Sequence, residues 1–249
     1  MKKIFVLLWF FALANYLWGY SPAQNKKIDL PADTLNIITL EYSDSTADGS
    51  AYISIYYPQI TEFENKTSES KINKFLEEEF KQSIPWYEEA ITDTFYTEEF
   101  TPTFTYTFET GFRVAYNSKD FISIVLDHYQ FTGGAHGNYY SLGYNFRTSD
   151  AKLLTLQDLI ISENFDILID ECTQAILEKF DAASLVDAGL FEDELNIPPD
   201  QDFYIMPGKL ILQFDPYEIA PYSMGDISVE IPFSKIQDIL KTNLPFLTK

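Results

Sequence analysis

Hydrophobic and polar residues alternate in several stretches of the chain. In Thr101–Glu109, threonines alternate with aromatic residues, which a strand would place on opposite faces. Tyr52–Tyr57 and the late segment Ile227–Ile231 show the same two-residue period. Short segments of this kind, separated by turn residues, predict an antiparallel sheet.

The longest strand pair predicted from the pattern is a hairpin around a glycine-rich turn. Phe121–Gln130 and Tyr139–Arg147 are both rich in aromatic and β-branched residues, which favour strands. Glycine in such a turn supplies backbone angles at positive φ that a Cβ disfavours. The predicted structural turn residues are Gly133, Gly134, Gly137 and Asn138.

Two other stretches repeat their apolar residues at helical spacing. One contains Ile72, Leu76 and Phe80, and the other runs from about residue 163 to residue 180. Cys172 falls on the apolar side of the second helix and is the only cysteine, which predicts a buried structural residue and excludes an intramolecular disulfide.

The order of these elements predicts the fold class. Aromatic residues make up 16% of the 249 residues, a composition that favours sheet-rich packing. We expect an α+β protein, an antiparallel sheet meander with flanking helices, in two closely packed subdomains.

The amino terminus has the pattern of a secretory signal peptide. A short basic start, Met1–Lys3, precedes an apolar run over Ile4–Ala14 and small residues up to Ala23. Cleavage after Ala23 is favoured over Ala14 or Gly19, and an uncleaved anchor is the alternative. We therefore predict an exported protein, periplasmic or extracellular, with no membrane span after residue 23.

Charge narrows the choice of partner. The formal net charge is −21, with 38 acidic and 17 basic residues. Phosphate backbones would be repelled, so nucleic acid is excluded as a partner. A cationic partner would be attracted, although the acidity also serves solubility.

Signals for catalysis are sparse. Neighbouring glutamates, such as Glu77 and Glu78, diverge on a helix and do not form the facing carboxylate pair of a glycosidase. His136 is the best polar candidate, and Asp127 and His128 are the nearest residues that would complete a metal site with it. The favoured role for His136 is to fix the turn, and we expect neither a metal nor another cofactor, and no assigned catalytic residue.

Several motifs resemble one known family. Tyr129–Asn138, Leu154–Leu159, Asp215–Tyr222 and Val229–Phe233 are similar to the motifs of RsiV-type ectodomains. In those proteins a domain of unknown function numbered 4163 precedes one numbered 3298. The resemblance covers nearly all of the chain after the signal peptide, and the implied domains are 24–148 and 149–249.

The resemblance implies an extracytoplasmic α+β protein without an assigned activity. One member of that family is an anti-sigma factor whose ectodomain binds lysozyme, and another carries a peptidoglycan deacetylase module. We expect this chain to lack the anti-sigma segment and the deacetylase module, so neither activity is carried over. The late motif either seals the core or forms an aromatic binding edge.

These observations favour a secreted, non-catalytic binding protein of the cell envelope. The predicted partner is a basic protein, such as a lysozyme, or cell-wall material such as peptidoglycan. The predicted binding residues are His136, Tyr217, Glu218 and Tyr222. The alternative is an enzyme that acts on cell-wall glycans through His136 and nearby carboxylates.

Overall fold

The computed structural model describes residues 33–92 and 104–247. The predicted signal peptide, residues 1–23, and the first part of the predicted strand at 101–109 lie outside the described residues. From Asp33 onward the chain forms one compact unit. Within the described ranges, none of the helices combines the length and the apolar character that crossing a membrane requires.

The first part of this unit is a six-stranded sheet with two helices on one face. Its strands lie side by side in chain order. The elements are β1 (Asn36–Ser45), β2 (Ala51–Thr61), α1 (Lys66–Phe80), α2 (Ile84–Thr92), β3 (Tyr106–Asn117), β4 (Phe121–Phe131), β5 (Asn138–Arg147) and β6 (Lys152–Leu153).

The sheet departs from a simple meander at one place, since β2 and β3 run parallel while the other neighbouring pairs are antiparallel. Parallel neighbours need a long crossover connection, and α1 and α2 lie in that connection. The sequence pattern predicted only the first of these helices. Two strand ends were also predicted wrongly: β2 continues through Pro58 to Thr61, and β3 continues through Gly111 to Asn117.

The helix-covered face of the sheet forms one hydrophobic core. Ile122, Ile124 and Leu126 alternate along β4 toward this core and are buried with Ile72 and Leu76 of α1. Asn65 begins α1 as its N-cap, because its side chain accepts a hydrogen bond from the backbone N–H of Ser68 at 3.1 Å. The helical spacing of the apolar residues therefore placed α1 correctly.

The second part of the unit is a three-stranded antiparallel sheet with helices. Its strands lie side by side in chain order. The first two of them form a hairpin with Pro207 and Gly208 at its turn, and Cys172 is buried as predicted. The elements are α3 (Leu156–Leu159), α4 (Phe165–Phe180), β7 (Phe203–Met206), β8 (Lys209–Phe214), β9 (Ile227–Pro232) and α5 (Phe233–Ile236).

The two sheets meet through buried polar contacts between β4, β5 and β7. The Asn145 amide donates to the carbonyl oxygen of Phe203 at 2.7 Å, and the Ser123 hydroxyl accepts from the backbone N–H of Ile205 at 3.0 Å. A Cβ at Gly143 would collide with the same Phe203 carbonyl group. The predicted α+β fold class is confirmed, and the glycine permits the close approach of the sheets.

Candidate functional site

The turn between β4 and β5 contains the glycine motif. Gly133 and Gly134 have φ of +102° and +95°, a region that strains any residue with a Cβ. Asn138 begins β5 opposite Gln130 and is exposed. The turn thus has the backbone geometry that was expected for its first two glycines.

Gly137 serves the turn in a different way from the other two glycines. It is buried and does not have positive φ, but a Cβ at this position would lie 2.5 Å from ring atoms of Tyr129. The expectation of positive φ was wrong here. Gly137 is needed because an aromatic ring packs directly against the backbone.

His136 is fixed against a residue from the other part of the fold. Its imidazole stacks on the ring of Tyr222, with 3.8 Å between centroids and 20° between planes. Its Nδ1 lies 3.0 Å from the carbonyl oxygen of Gly137, which can only accept, so Nδ1 carries the proton. The Tyr222 hydroxyl donates to that same oxygen at 2.8 Å.

Tyr217 lies beside Tyr222 and is largely open to solvent. The two ring centroids are 5.7 Å apart, and 58% of Tyr217 is exposed. Tyr217 has φ of +72°, a strained value for a residue other than glycine. Its backbone N–H donates to Ala220 at 3.0 Å, which holds the tight loop. We call His136, Tyr217 and Tyr222 the aromatic tip.

Glu218 lies in the same loop, but both of its oxygens bond within the chain. Oε1 accepts from the Gln201 amide at 2.6 Å, and Oε2 accepts from the backbone N–H of Asp215 at 2.8 Å. These contacts shape the loop that carries Tyr217. The predicted role of Glu218 in binding stays a prediction.

Two carboxylates accept hydrogen bonds from the backbone along the outer edge of β5. The sequence analysis did not single them out. Asp215 accepts from the backbone N–H of Ser141 at 3.0 Å, and Asp202 accepts from that of Gly143 at 3.4 Å. Burial raises the pKa of each carboxyl to about 6, despite these hydrogen bonds. The only sequence signal was the place of Asp215 at the start of the late motif.

The structure does not bring Asp127, His128 and His136 together. Asp127 forms a two-bond ion pair with Arg113 on the face of the sheet opposite the helices, at 2.8 and 3.0 Å. His128 points to the helix-covered face, where its Nδ1 lies 2.9 Å from the Thr110 hydroxyl oxygen. Strand alternation therefore separates the two neighbours. Among the described residues there is no group of three or more His, Cys, Asp or Glu that would hold a metal ion.

The surroundings of the aromatic tip are strongly acidic. Between Lys179 and Lys235 the sequence contains one basic residue, Lys209, and it forms an ion pair with Glu230. Glu218, Asp215 and Asp226 lie in this segment, close in sequence to Tyr217 and Tyr222. An exposed aromatic surface thus lies in a strongly acidic segment of the chain.

Comparison with protein families gives two matches that together span both sheets. Residues 45–139 match the family model described as Deacetylase PdaC, and residues 157–234 match the model described as Protein of unknown function (DUF3298). The resemblance to the domain numbered 4163 and to RsiV-type ectodomains remains a prediction.

One curated protein and two solved structures resemble the chain over most of its length. The peptidoglycan-N-acetylmuramic acid deacetylase PdaC of Bacillus subtilis is 26% identical over 208 residues, which are 81% of this chain but 42% of that protein. This chain thus corresponds to less than half the length of that relative.

The solved structures are DUF3298 family proteins. The one from Bacteroides fragilis has a TM-score of 0.66 at 16% identity and covers 85% of this chain and 95% of its own. The one from Pseudomonas aeruginosa has a TM-score of 0.62 at 20% identity, covering 85% and 96%. Their fold agrees with the arrangement described above, and residues 157–234 are the part of this chain that is similar to the DUF3298 family model.

Proposed function

We propose that this protein is an exported binding protein of the cell envelope that holds a basic protein partner at the aromatic tip. The observation that carries the proposal is the exposed ring of Tyr217 beside the stacked pair of His136 and Tyr222. Aromatic side chains on a rigid support are frequent anchors of protein interfaces, because they bury a large area with little loss of conformational entropy.

The rigidity of the tip supports binding at this place. Tyr222 is fixed by its hydrogen bond to Gly137 and by the imidazole of His136, so little ordering is left for the moment of association. A lysine or arginine of a partner can lie over the ring of Tyr217 and gain a cation–π contact.

Charge favours the basic partner over an anionic one. The net charge of −21 creates a negative field that accelerates the approach of cationic proteins. The name of the PdaC relative connects that protein with peptidoglycan, which agrees with a place in the envelope. A lysozyme is the basic protein with which we would begin.

Binding kinetics on the immobilised protein test the proposal. A basic lysozyme is expected to bind at low salt, and an acidic protein of similar mass is the control. Tyr217→Asn removes the ring and keeps a residue that tolerates positive φ, so it should speed dissociation without unfolding the loop. Absence of lysozyme binding at low salt contradicts the proposal.

A second candidate is an enzyme that acts on cell-wall glycans. Asp202 and Asp215 support it, because the two carboxylates accept hydrogen bonds from the backbone of Gly143 and Ser141 at one edge of β5, and burial raises the pKa of each to about 6. The name of the relative, a peptidoglycan deacetylase, points to the same substrate.

Release of acetate or of sugar fragments from purified peptidoglycan distinguishes this candidate from the first. Activity that disappears in both Asp202→Asn and Asp215→Asn, with the fold intact, would favour the enzyme. If wild type and both variants release the same background amount, the first candidate, a binding protein, is favoured.

A further inference from the structure

A buried histidine on the helix-covered face of the sheet has an unused hydrogen-bonding atom. His128 is 1% exposed, and its Nδ1 is paired with the Thr110 hydroxyl at 2.9 Å. Its Nε2 has no hydrogen-bond partner among the residues that the structure describes. Buried polar atoms are nearly always paired, so an unpaired one needs a reason, such as a bound molecule.

The environment of His128 is aromatic on two sides. The Tyr140 ring, directly opposite on β5, lies 4.8 Å from the imidazole, and the Trp86 indole of α2 lies 5.8 Å away in an edge-on arrangement. We call Trp86, His128 and Tyr140 the indole subsite. This subsite does not include any residue of the aromatic tip.

Trp86 contacts the imidazole of His128 and is itself partly open to solvent. It is 43% exposed, although tryptophan is among the most apolar side chains, and the only buried residue of α2 is its neighbour Tyr87. A side chain that is 43% exposed is the one that would turn aside to open a path to Nε2 of His128. One helical turn earlier, Ser83 is 3% exposed and its hydroxyl also lacks a partner within the described chain.

The groups of the subsite are uncharged near neutral pH. Burial lowers the pKa of His128 to about 4, and the nearby Gln130 side chain offsets this only in part. Burial likewise raises the pKa of Tyr140 to about 12. A charged ligand would therefore find no counter-charge among these three side chains, while a neutral ligand with hydroxyl groups would find hydrogen-bond partners.

We propose that the indole subsite binds one uncharged sugar ring of a cell-wall glycan. With Trp86 turned aside, the apolar face of the sugar stacks on its indole, and a ring hydroxyl or N-acetyl group bonds to Nε2 of His128, which the movement of Trp86 exposes. A few oriented polar groups beside an aromatic wall are the usual composition of a small-molecule site. This site is independent of protein binding at the aromatic tip, and either can fail without the other.

Tryptophan fluorescence gives a direct test, since the other two tryptophans are Trp9 and Trp18. With both replaced by phenylalanine in the full chain, emission comes from Trp86 alone. Titration with N,N′,N″-triacetylchitotriose should shift and saturate this emission. A negatively charged sugar, galacturonic acid trimer, should produce a much smaller change.

Variants followed by calorimetry complete the test. Trp86→Ala should abolish detectable triacetylchitotriose binding, and His128→Phe should weaken it about tenfold, the effect of one lost hydrogen bond. Tyr217→Asn, at the aromatic tip, should bind the sugar as wild type does. If the sugar does not change the emission of Trp86, only a bound water is left as a partner for Nε2. If Trp86→Ala binds the sugar as wild type does, the sugar binds elsewhere. Either result overturns the proposal.

Discussion

The Tyr222 hydroxyl donates a hydrogen bond of 2.8 Å to the carbonyl oxygen of Gly137, although 85 positions separate the two residues in the chain. The contact joins the loop before β9 to the turn between β4 and β5. The two motifs that stand out in the sequence are therefore parts of one surface. The stacked ring of His136 lies on the same tyrosine and completes the connection.

This relationship predicts different outcomes for two substitutions of Tyr222. Tyr222→Phe keeps the stacked ring and loses the hydroxyl, so we expect a loss of unfolding free energy of about 1 kcal/mol. Tyr222→Ala also removes the stacking partner of His136 and should destabilise the protein further and speed the dissociation of a bound partner. Urea unfolding of both variants measures the difference, and equal stability of the two would show that the stack contributes nothing.

Gly134 and Gly137 provide a matched pair that separates two reasons for glycine. At Gly134, φ is +95° and a Cβ would meet nothing within 4 Å, so Gly134→Val is strained by the backbone alone, by roughly 1–3 kcal/mol. At Gly137 the backbone is ordinary but a Cβ would meet the Tyr129 ring, so Gly137→Ala should displace that ring.

Melting temperatures and tyrosine near-ultraviolet circular dichroism distinguish the two effects. Gly134→Val should melt well below a Ser223→Val surface control with its near-ultraviolet spectrum preserved, whereas Gly137→Ala should change the spectrum. Melting of Gly134→Val at the temperature of the control would contradict a conformational requirement at this position.

The sequence pattern predicted local structure better than it predicted contacts between distant segments. The β4–β5 hairpin and the buried side of α4 follow from alternation and helical spacing, which short-range interactions determine. The parallel pairing of β2 with β3 depends on a crossover whose second helix, α2, is only nine residues long, so a helical spacing has few turns over which to repeat. The exposed Trp86 of α2 did not indicate this helix in the sequence either.

The same distinction applies to the candidate site. His136 and Tyr222 were both selected from motifs, but their stacking was not, since nothing in spacing shows that two loops meet. Asp202 and Asp215 were missed because their special property is burial at the β5 edge, and a sequence read alone does not show which aspartates become buried. Gly133 and Gly134 have the positive φ that was expected of the motif glycines, whereas at Gly137 a Cβ would meet the Tyr129 ring.

Export is testable without the structure. The basic start and the apolar run over residues 4–14 predict cleavage near Ala23. Intact-mass analysis of protein recovered from the envelope should therefore give a chain that begins close to Gln24. Recovery of only full-length, membrane-bound protein would favour the uncleaved anchor instead.

Binding of a basic partner should depend on salt in a characteristic way. Long-range attraction sets the encounter rate and is screened as the Debye length falls to about 8 Å at physiological ionic strength. We expect salt to slow the association of lysozyme more than it speeds dissociation, while Tyr217→Asn acts mainly on dissociation. Association and dissociation rates over a series of salt concentrations measure both. If salt changes the dissociation rate more than the association rate, electrostatic steering of the partner is contradicted.

The last prediction concerns the buried carboxyl of Asp202 and the pH dependence of stability. Its pKa of about 6 in the folded protein lies above the ordinary value near 4, so the folded state holds the proton more tightly than the unfolded chain does. The stability from this group is therefore present at low pH and is lost as pH rises from about 4 to about 6.

Asp202→Asn removes the titration but keeps an oxygen that can accept from the Gly143 N–H, the contact that Asp202 makes at 3.4 Å. From pH 4 to pH 7, the unfolding free energy of the variant should rise relative to that of the wild type by about 1 kcal/mol. This is less than the free energy that corresponds to the full pKa shift, because the group is partly exposed. Urea unfolding at the two pH values measures the gain, with the exposed Asp187→Asn as control. Since the pKa of Asp215 is also about 6, the stability of Asp202→Asn should still fall as pH rises, but less steeply than that of the wild type. Parallel pH profiles of wild type and Asp202→Asn would mean that the carboxylate at the β5 edge is as well solvated in the folded protein as in the unfolded chain.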